Sequence, residues 1–465
     1  MSLSADTVWE VRTTGNDTNG GAFVTGASGT DYSQQDAKNT AGNNISTTDA
    51  VSNGSTTLTS ATASFTSAIV GNIIYLQGGT GGIAIVRRQV TAFTNATTVT
   101  LDASVASSTG MTMNIGGCLA SPGEAGRGVQ AGNKIYIKAG TYTVTSTSTN
   151  VTNGCFSTGN DCLFEGYQTS RGDLGTAPVI IADGVITSFT LVNFSSASQY
   201  NCIRNLVING NSRTSSRGLS CNYTYAFKVK ALNCTNTGIN LLNGSIAVNC
   251  WATGCSTQPA FAQSVSIAYA CVAEGNTVTG FSHANSQTTG ACVNCISYNN
   301  TGASSDGFSS AAFGIYFINC ISYANGRDGF RLANGGNCCV NSVAEGNTAS
   351  GAFGFNASSN NRAINLMNCA GFNNGAAGSS NVSLGTGAFC FSINFFTLTQ
   401  TPFINAAGGD FSLNNKNGGG KDLRNAGFPG TLINGIVAYT TPGAAQFTQE
   451  GGLRMVGIGG LASGG

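Results

Sequence analysis

The chain has 465 residues, of which only 8% are charged, and its 20 basic and 19 acidic side chains leave a net charge of +1. A typical soluble domain is about 25% charged, so this surface offers neither the basic field that binds nucleic acid nor a polybasic membrane patch. The 65 glycines disfavour a helical protein, and an apolar fraction of 41% argues against general disorder.

The N-terminal residues contain no basic segment followed by an apolar one, so the sequence predicts no signal peptide. No apolar stretch approaches the about 18 residues of a membrane span, and none is predicted. Sixteen cysteines would indicate disulfides in a small secreted protein. In this long chain they are spaced by a repeat, and we therefore expect reduced thiols in a protein made in a cytoplasm.

The segment 27–116 is rich in Ser, Thr and Ala and contains short alternating apolar runs, as at 73–76 and 97–101. Gly-rich turns such as 78–82 separate these runs, which is typical of a small antiparallel β unit. The sequence predicts a compact barrel or sandwich inserted before the main body. Two roles stay open for it: a cap over an otherwise open sheet edge, or an attachment module.

One motif recurs between about residues 200 and 380: an apolar residue, any residue, Asn, Cys, any residue and a small residue. Its key position, Cys in most copies, falls at 206, 234, 250, 271, 295, 320, 342 and 369, which is 163 residues over seven steps and a mean near 23. Most copies then run to a Gly-apolar pair. These pairs include Gly218-Leu219, Gly280-Phe281, Gly307-Phe308, Gly329-Phe330 and Gly354-Phe355.

This periodicity predicts a solenoid in which each turn holds two or three short strands. A single turn cannot bury its apolar side alone, so the turns stack about 4.8 Å apart. Asn suits the repeated bend because it tolerates left-handed backbone dihedrals, and stacked Asn amides can hydrogen-bond along the axis. Gly serves a second bend.

Strand alternation predicts which side chains face inward. Cys at the key position and the small residue two positions later suit a narrow interior, whereas the large residues three positions later do not. The residues directly after the key position then form an outward apolar stripe about 34 Å long, from seven steps of about 4.8 Å. The predicted stripe comprises Val207, Trp251, Val272, Ile296, Ile321 and Val343.

Two interpretations of this stripe stay open. A long exposed apolar stripe usually marks an interface, here between copies of the chain around a threefold axis. Alternatively, β-branched residues simply favour strands.

The C-terminal part carries weaker signals. We expect residues 382–430 to finish the stack and residues 431–450 to contain one last strand. The tail 451–465 has too much Gly to fold alone, and it is either a flexible end or a segment ordered by a partner.

The segment Ala-Gly-Asn-Lys-Ile-Tyr-Ile-Lys-Ala-Gly-Thr-Tyr at 131–142 resembles the Gly-Asp-x-Ile-Tyr-Val-x-x-Gly-x-Tyr opening of right-handed parallel β-helix proteins of the pectate-lyase-like class, with Asn133 where Asp is common. Residues 9–21 are similar to the first strand and turn of that class, and residues 402–413 to its closing turns. The resemblance implies an all-β fold with three parts. These are a first strand and cap in 1–26, a right-handed parallel β-helix over 117–430, and a C-terminal strand with the Gly-rich tail in 431–465.

The low charge and the Gly/Asn/Thr-rich body further resemble β-helical structural proteins of bacteriophage particles, such as tail spikes and fibres. This resemblance implies a structural role in a virion, but a fold by itself does not fix a function.

β-Helix enzymes that cleave polysaccharides need acidic side chains. Hydrolases use two carboxylates at a set separation, and lyases use a base and usually a cation held by carboxylates. Asp306 and Asp328 each precede a Gly-Phe pair and should lie about one turn apart, which makes them the candidate catalytic residues. Asp also simply suits a turn before Gly, and on that interpretation the chain has no catalytic residue.

Four residues in a second outward column are candidates for glycan binding. Glu274, Tyr298, Tyr323 and Glu345 lie three positions after their key residues, and such a ladder could stack on sugar rings. Ordinary solvated strand exteriors explain the same column more simply.

The remaining chemistry-bearing residues give weaker signals. His283 is the single histidine, and no Gly-x-Ser-x-Gly elbow accompanies it. Cys292 and Cys295 have CxxC spacing, but their neighbours would be other stacked cysteines, which favours core packing over zinc. We predict no metal and no cofactor.

The sequence thus favours a structural virion protein of a bacteriophage, a tail spike, fibre or head-attached spike that forms a homotrimer. Its partners would be copies of itself, other virion proteins and host-surface polysaccharide, with no nucleic acid and no membrane span. One alternative is a polysaccharide lyase or glycoside hydrolase of the β-helix type. A cell-surface adhesin is a second alternative, which the missing signal peptide disfavours.

Overall fold

The computed structural model describes residues 3–35, 45–145, 151–152, 162–184, 187–194, 201–284, 289–357, 364–378, 380–384, 390–424, 426, 430–431 and 437–438. It shows a right-handed parallel β-solenoid of about nine turns with almost no helix, and a small closed antiparallel β unit near the N-terminus. The predicted fold class is therefore confirmed. The chain divides into two compact units, residues 1–186 with 190–208 and residues 187–189 with 209–465.

The first unit contains early solenoid strands and the inserted β unit. Its strands are β1 (Thr7–Val11), β2 (Ala22–Val24), β3 (Ile45–Ser52), β4 (Thr57–Thr59), β5 (Ile73–Gly78), β6 (Ile83–Asn95), β7 (Thr98–Leu101), β8 (Ser108–Ile115), β9 (Lys134–Lys138), β10 (Thr141–Val144), β11 (Val151–Thr152), β12 (Leu163–Tyr167), β13 (Val179–Ala182), β14 (Thr190–Phe194) and β15 (Asn201–Asn209). The helix α1 spans Pro122–Gly128, and a 3-10 turn spans Ser67–Ile69.

The inserted unit is a closed barrel in the strand order β3-β4-β7-β6-β5-β8. Side chains such as Leu58, Ile74, Val90 and Met113 fill its core. Strand β1, which precedes the insertion, pairs in parallel with β9, which follows it. The solenoid therefore starts before the insertion and resumes after it.

A buried carboxylate ties the insertion to the solenoid within this unit. Glu10 lies on β1, is fully buried, and accepts hydrogen bonds from Arg12 and Arg171, each at 2.8 Å, and from the Tyr167 hydroxyl. Arg171 also contacts Asp31 at 3.3 Å in the segment that leads into the barrel. A buried charge is tolerated only when it is paired and hydrogen-bonded, and Glu10 meets that condition.

The second unit contains three stacks of short parallel strands. The first stack comprises the N-terminal half of β17 (Thr224–Leu232), β19 (Ile246–Val248), β22 (Ile267–Tyr269), β25 (Gly290–Val293), β28 (Ile315–Ile318), β31 (Asn337–Val340), β34 (Ile364–Met367) and β37 (Cys390–Ile393). The second stack comprises the C-terminal half of β17, β20 (Trp251–Thr253), β23 (Val272–Glu274), β26 (Ile296–Tyr298), β29 (Ile321–Tyr323), β32 (Val343–Glu345), β35 (Ala370–Phe372) and β38 (Phe396–Thr397). The third stack comprises β16 (Arg217–Asn222), β18 (Ile239–Leu242), β21 (Phe261–Gln263), β24 (Phe281–His283), β27 (Phe308–Ser310), β30 (Phe330–Leu332), β33 (Phe355–Ala357) and β36 (Val382–Leu384).

The chain continues with β39 (Phe403–Asn405), a 3-10 turn (Ala406–Gly408), β40 (Asp410–Leu413), the short helix α2 (Gly420–Leu423), β41 (Gly430–Thr431) and β42 (Val437–Ala438). The predicted Gly-rich tail lies outside the described residues. None of the helices in the described part has the length and hydropathy of a membrane span.

The bend between the first and second stacks adopts the left-handed conformation that the Asn-Cys motif predicts. Asn249, Asn294, Asn319, Asn341 and Asn368 have φ between 50° and 55°. At such angles an Asn costs less than a β-branched residue. The residues after these bends are four cysteines and Ser342, and they face inward and are buried, as predicted for the key position.

The prediction for the motif copy at 231–234 was wrong, because these residues lie at the next bend of the turn and not at the bend between the first and second stacks. Lys228 has a φ of 53°, and Lys230 pairs with Trp251, so Val229 takes the place that the sequence assigned to Cys234. The amide of Asn233 donates to the carbonyl of Thr253 at 2.9 Å, which places Asn233 at the next bend of the turn, beside Gly254. The prediction shifted because Lys228, and not an asparagine, occupies the left-handed bend of this turn.

A ladder of buried amides runs along the interior, but not at the asparagines of the Asn-Cys motif. Side-chain amide nitrogens donate to the next side-chain oxygen from Asn276 to Asn300 (2.7 Å), Asn300 to Asn325 (2.7 Å), Asn325 to Asn347 (3.1 Å) and Asn347 to Asn374 (2.8 Å). These side chains are at most 2% exposed. The ladder satisfies polar groups that would otherwise be costly to bury.

The phenylalanines of the Gly-Phe pairs, together with Phe261 after Ala260, build a second ladder, of stacked rings. Phe261, Phe281, Phe308, Phe330 and Phe355 are fully buried, with successive ring centroids 4.6, 5.0, 4.8 and 4.7 Å apart and interplanar angles of at most 13°. Each ring thus sits one strand spacing above the last.

The cysteines form a third ladder. The thiols of Cys250, Cys271, Cys295, Cys320 and Cys369 donate to backbone carbonyls about one turn earlier at 3.3–3.5 Å. Burial raises the pKa of Cys250 and Cys271 well above the usual value, so these thiols stay protonated. Thirteen described cysteines are free, as expected, whereas Cys162 takes part in a disulfide bond.

The amide ladder makes a stability prediction. Substituting Asn325→Ala removes the two side-chain hydrogen bonds that join Asn325 to Asn300 and to Asn347, and two such buried bonds together contribute about 1–3 kcal/mol. We expect the free energy of unfolding, measured by denaturant titration, to fall by at least that amount. The control is Asn240→Ala, which removes one hydrogen bond to Ser220 on the outer surface and should change it by less than about 1 kcal/mol; equal losses would contradict the ladder's role.

Candidate functional site

The predicted apolar stripe faces outward, but its two ends differ. Trp251, Val272 and Ile296 are half-buried, whereas Ile321 and Val343 are fully buried. Val207, the first member, lies in the first unit and is half-buried. The difference within the second unit arises because a later segment of the chain covers the stripe.

This covering segment, residues 398–424, is here called the C-terminal clasp. Its apolar residues Leu398, Phe403, Phe411, Leu413 and Leu423 form one buried cluster with Ile321, Val343 and Ala370 of the second stack. Asn414 holds the clasp together, since its amide donates to the Thr401 and Phe403 carbonyls at 2.7 and 3.0 Å. The sequence predicted that residues up to 430 finish the stack; instead, the clasp folds back over turns that are already formed.

The predicted glycan ladder lies partly under the same clasp. Glu274, Tyr298, Tyr323 and Glu345 do occupy one outward column, as their strand pairing shows. However, Tyr298 and Glu345 are only 7% and 6% exposed, and the Tyr298 and Tyr323 rings pack edge-on against Phe411. With the clasp in place, these rings offer no open platform for a sugar ring.

The two candidate catalytic acids lie one turn apart, as predicted, and each already has partners. Asp306 is fully buried and forms a two-pronged ion pair with Arg327 at 2.7 and 2.5 Å. Asp328 accepts the Phe353 amide and the Asn356 side chain, each at 2.8 Å. Burial, assisted by Asp306, raises the pKa of Asp328. The geometry matches Asp residues that fix a turn, and it aims no carboxylate pair at an open groove.

The single histidine lies inside the solenoid. His283 is fully buried on β24, and Cys292 lies 3.8 Å from its Nε2. Burial lowers the pKa of His283 to about 3, so the ring is neutral at physiological pH. Within the described ranges, no group of three or more His, Cys, Asp or Glu side chains is arranged to hold a metal ion.

An outward apolar surface lies on the first stack. Its outward residues form two parallel columns, and we call both together the apolar face. The outer column is Tyr225, Ile246, Ile267, Ala291, Tyr316, Cys338, Asn365 and Phe391. The inner column is Phe227, Val248, Tyr269, Val293, Ile318, Val340, Met367 and Ile393.

Every position of the apolar face is apolar or aromatic except Asn365, and none is charged. Several side chains are open to solvent, with Tyr316 49% and Phe391 62% exposed. Seven steps of about 4.8 Å make the face about 34 Å long. A monomeric soluble protein rarely exposes an unbroken apolar surface of this kind.

The third stack provides an internal comparison. Its outward column has small or polar side chains and one arginine, and it comprises Ser220, Asn240, Ala262, Ser282, Ser309, Arg331, Asn356 and Ser383. Both stacks are parallel strands of one solenoid, so strand propensity acts equally on both. Strand propensity alone therefore does not explain the apolar face.

The apolar face continues around one bend. Val265 and Phe313 lie in the bends that lead into the first stack and are 41% and 40% exposed. Val265 also has a φ of 47°, an unfavourable conformation for a β-branched residue. Such strain is often found at functional sites, and here it places another apolar side chain beside the face.

Sequence reasoning missed the apolar face although the repeat contained its signal. The second position of the motif was treated as any residue, yet it holds Val248, Tyr269, Val293, Ile318 and Val340 in successive copies. An apolar position that recurs in these five copies, directly after an inward-facing one, predicts a second outward stripe.

Comparisons with known proteins identify no family. No protein-family model matches the sequence, and no curated protein matches it. Among solved structures, pectate lyase Pel9A is similar at 15% identity, with 70% of this chain and 90% of that chain covered and a TM-score of 0.40. The bacteriophage CBA120 tailspike protein 3 is similar at 12% identity, with 60% and 56% covered and a TM-score of 0.31.

A mutant of the periplasmic alginate epimerase AlgG is similar at 11% identity, with 57% of this chain and 78% of that chain covered and a TM-score of 0.30. These structures include a tailspike and enzymes alike, and at these values they do not choose between the two. The assignment of the fold rests on the strand pairing of this chain.

The buried histidine gives a pH prediction. Its lowered pKa means that the folded state keeps the ring neutral, while the unfolded state takes up a proton below about 6.5. The imidazole NMR signal of His283 should therefore not titrate between pH 8 and pH 4. Over the same range, the free energy of unfolding should lose a contribution as the pH falls below about 6.5. A titration midpoint near 6.5 would show that the ring is open to solvent.

Proposed function

We propose that this chain is the β-helical body of a bacteriophage spike or fibre, a structural virion protein that assembles with two copies of itself through the apolar face. The observation that carries the proposal is the charge-free apolar surface on the first stack beside a polar surface on the third. Burial of such a surface in an oligomer removes its cost in water.

The direction of the columns favours cyclic assembly. Both columns of the apolar face run along the solenoid axis, because each rung pairs with the next. Copies related by rotation about a parallel axis can therefore match along the full length, and a threefold rotation closes the assembly. An assembly of this shape suits a rigid spike.

The outer polar column of the third stack would then remain in water and meet the host. Hydroxyls such as those of Ser282 and Ser309 suit hydrogen bonding with sugar hydroxyls. On this proposal, host-surface polysaccharide is the external partner, and other virion proteins hold the ends of the spike.

The oligomer is testable with matched variants. The double variant Ile267→Asp with Tyr316→Asp puts charges into the apolar face, and buried unpaired charges are strongly unfavourable. The control double variant, Ser282→Asp with Ser309→Asp, puts the same charges on the third stack. Light scattering after size exclusion should give three times 47.0 kDa for the wild type and the control, and 47.0 kDa for the apolar-face variant.

A wild-type protein that is monomeric at micromolar concentration would contradict the proposed assembly. So would equal behaviour of the two double variants. A melting curve for each variant separates loss of assembly from loss of folding.

The rival function is a polysaccharide lyase or hydrolase, and a cleavage assay distinguishes it. The wild-type chain is incubated with a panel of bacterial polysaccharides, and product size is measured. On our proposal the polysaccharide chains are not shortened. Cleavage that disappears in Asp328→Asn, in a variant that still folds, would replace the structural proposal with the enzymatic one.

A further inference from the structure

The C-terminal clasp covers an apolar surface, yet it also buries an acid. Glu345 lies at the end of β32 and is 6% exposed. Its Oε2 atom is buried without a hydrogen-bond partner. An unpartnered buried carboxylate oxygen is costly when ionised, but much less so when it carries a proton.

The groups around this carboxyl provide no compensating cation. Tyr323 lies on the preceding turn and Phe372 on the following one, and from the clasp the Thr401 hydroxyl hydrogen-bonds to the carboxyl. No ion pair to Glu345 exists in the described part of the chain. The charged residues of the clasp are Asp410 and Arg424, which are half-buried, and Lys416, Lys421 and Asp422, which are exposed.

We propose that the clasp is a proton-controlled cover: it lies on the second stack while Glu345 is protonated, and it loosens when Glu345 releases its proton to solvent. Loosening uncovers Ile321, Val343 and Ala370, the buried half of the predicted stripe. The state of one carboxyl thus sets how much of the stripe is open. This inference concerns the clasp alone and does not depend on assembly through the apolar face.

The direction of the pH effect follows from the two environments. Burial beneath the clasp raises the pKa of Glu345 from 4.5 to about 7, an effect that the Thr401 hydroxyl opposes. In a released clasp the carboxyl returns to water and to its ordinary pKa. Docking therefore takes up a proton between these values, and it weakens as the pH rises from 4.5 to about 7. Above about 7 the carboxyl is ionised in both states, and the effect levels off.

The test compares hydrogen exchange of the clasp amides in the full-length wild type and in Glu345→Gln. The amide side chain keeps the shape of the carboxyl and cannot ionise. Dividing the two exchange rates at each pH cancels the intrinsic pH dependence of exchange. We expect the ratio of wild type to variant to rise about tenfold per pH unit within the window, to about 300-fold in all.

Two further variants keep the test decisive. Glu274→Gln changes a half-buried acid in the same column and should leave the exchange of the clasp unchanged. Thr401→Val removes the hydroxyl that holds the pKa of Glu345 down, so the plateau should move to higher pH. Amides of β30 and β33 in the third stack report whether a variant has lost its fold. A flat ratio across the window, or the same pH effect from Glu274→Gln, would overturn the inference.

Discussion

The solenoid depends on one constraint: polar groups inside it need hydrogen-bond partners, and the repeat supplies many of these partners one turn away. Parallel strands supply the backbone bonds, but the bends also bring side-chain amides and thiols into the interior. The amide ladder from Asn276 to Asn374 and the thiols that donate to earlier carbonyls meet this requirement. A buried polar group without a partner would cost more than one hydrogen bond contributes, so the interior sequence repeats because each rung is the partner of the next.

The outward-facing side chains are free of that constraint, and the three stacks differ in their outward residues. The first stack is apolar without interruption by charge, the third is small and polar, and the second is divided between open and covered turns. All three share the same strand geometry, so the differences reflect what each face contacts. The clasp covers part of the second stack, whereas side chains of the first stack such as Tyr316 and Phe391 are exposed. This contrast is why we place the interface between copies on the first stack rather than on the stripe that the sequence indicated.

The sequence was sufficient for the features that one turn repeats on the next. The left-handed Asn bends and the inward cysteines follow from local chemistry at a fixed spacing, whereas the stacking of the phenylalanines was seen only in the structure. Where a turn departed from the consensus, as at Lys228 and Val229, the prediction shifted by one bend, because a lysine carries no signal for a left-handed conformation. The covering of Ile321 and Val343 could not be predicted, since it depends on contacts with Phe403 and Phe411, which lie some 60–90 residues further along the chain. Periodicity predicts contacts between neighbouring turns and gives no information on a segment that folds back.

The partners of the acidic side chains also bear on the choice between a structural role and an enzymatic one. An enzyme needs acids held at a defined separation and open to substrate, and it stores strain or unsatisfied charge at that place. In the second unit, Asp306 and Asp328 are each held by neighbouring side chains and backbone, and His283 is sealed in the core. The carboxylate oxygen of Glu345 that has no hydrogen-bond partner lies instead beneath the C-terminal clasp. A lone acid in that position has no second carboxylate to work with, but it can set the balance between a covered and an uncovered surface. A buried carboxylate oxygen without a hydrogen-bond partner thus lies where the chain covers itself.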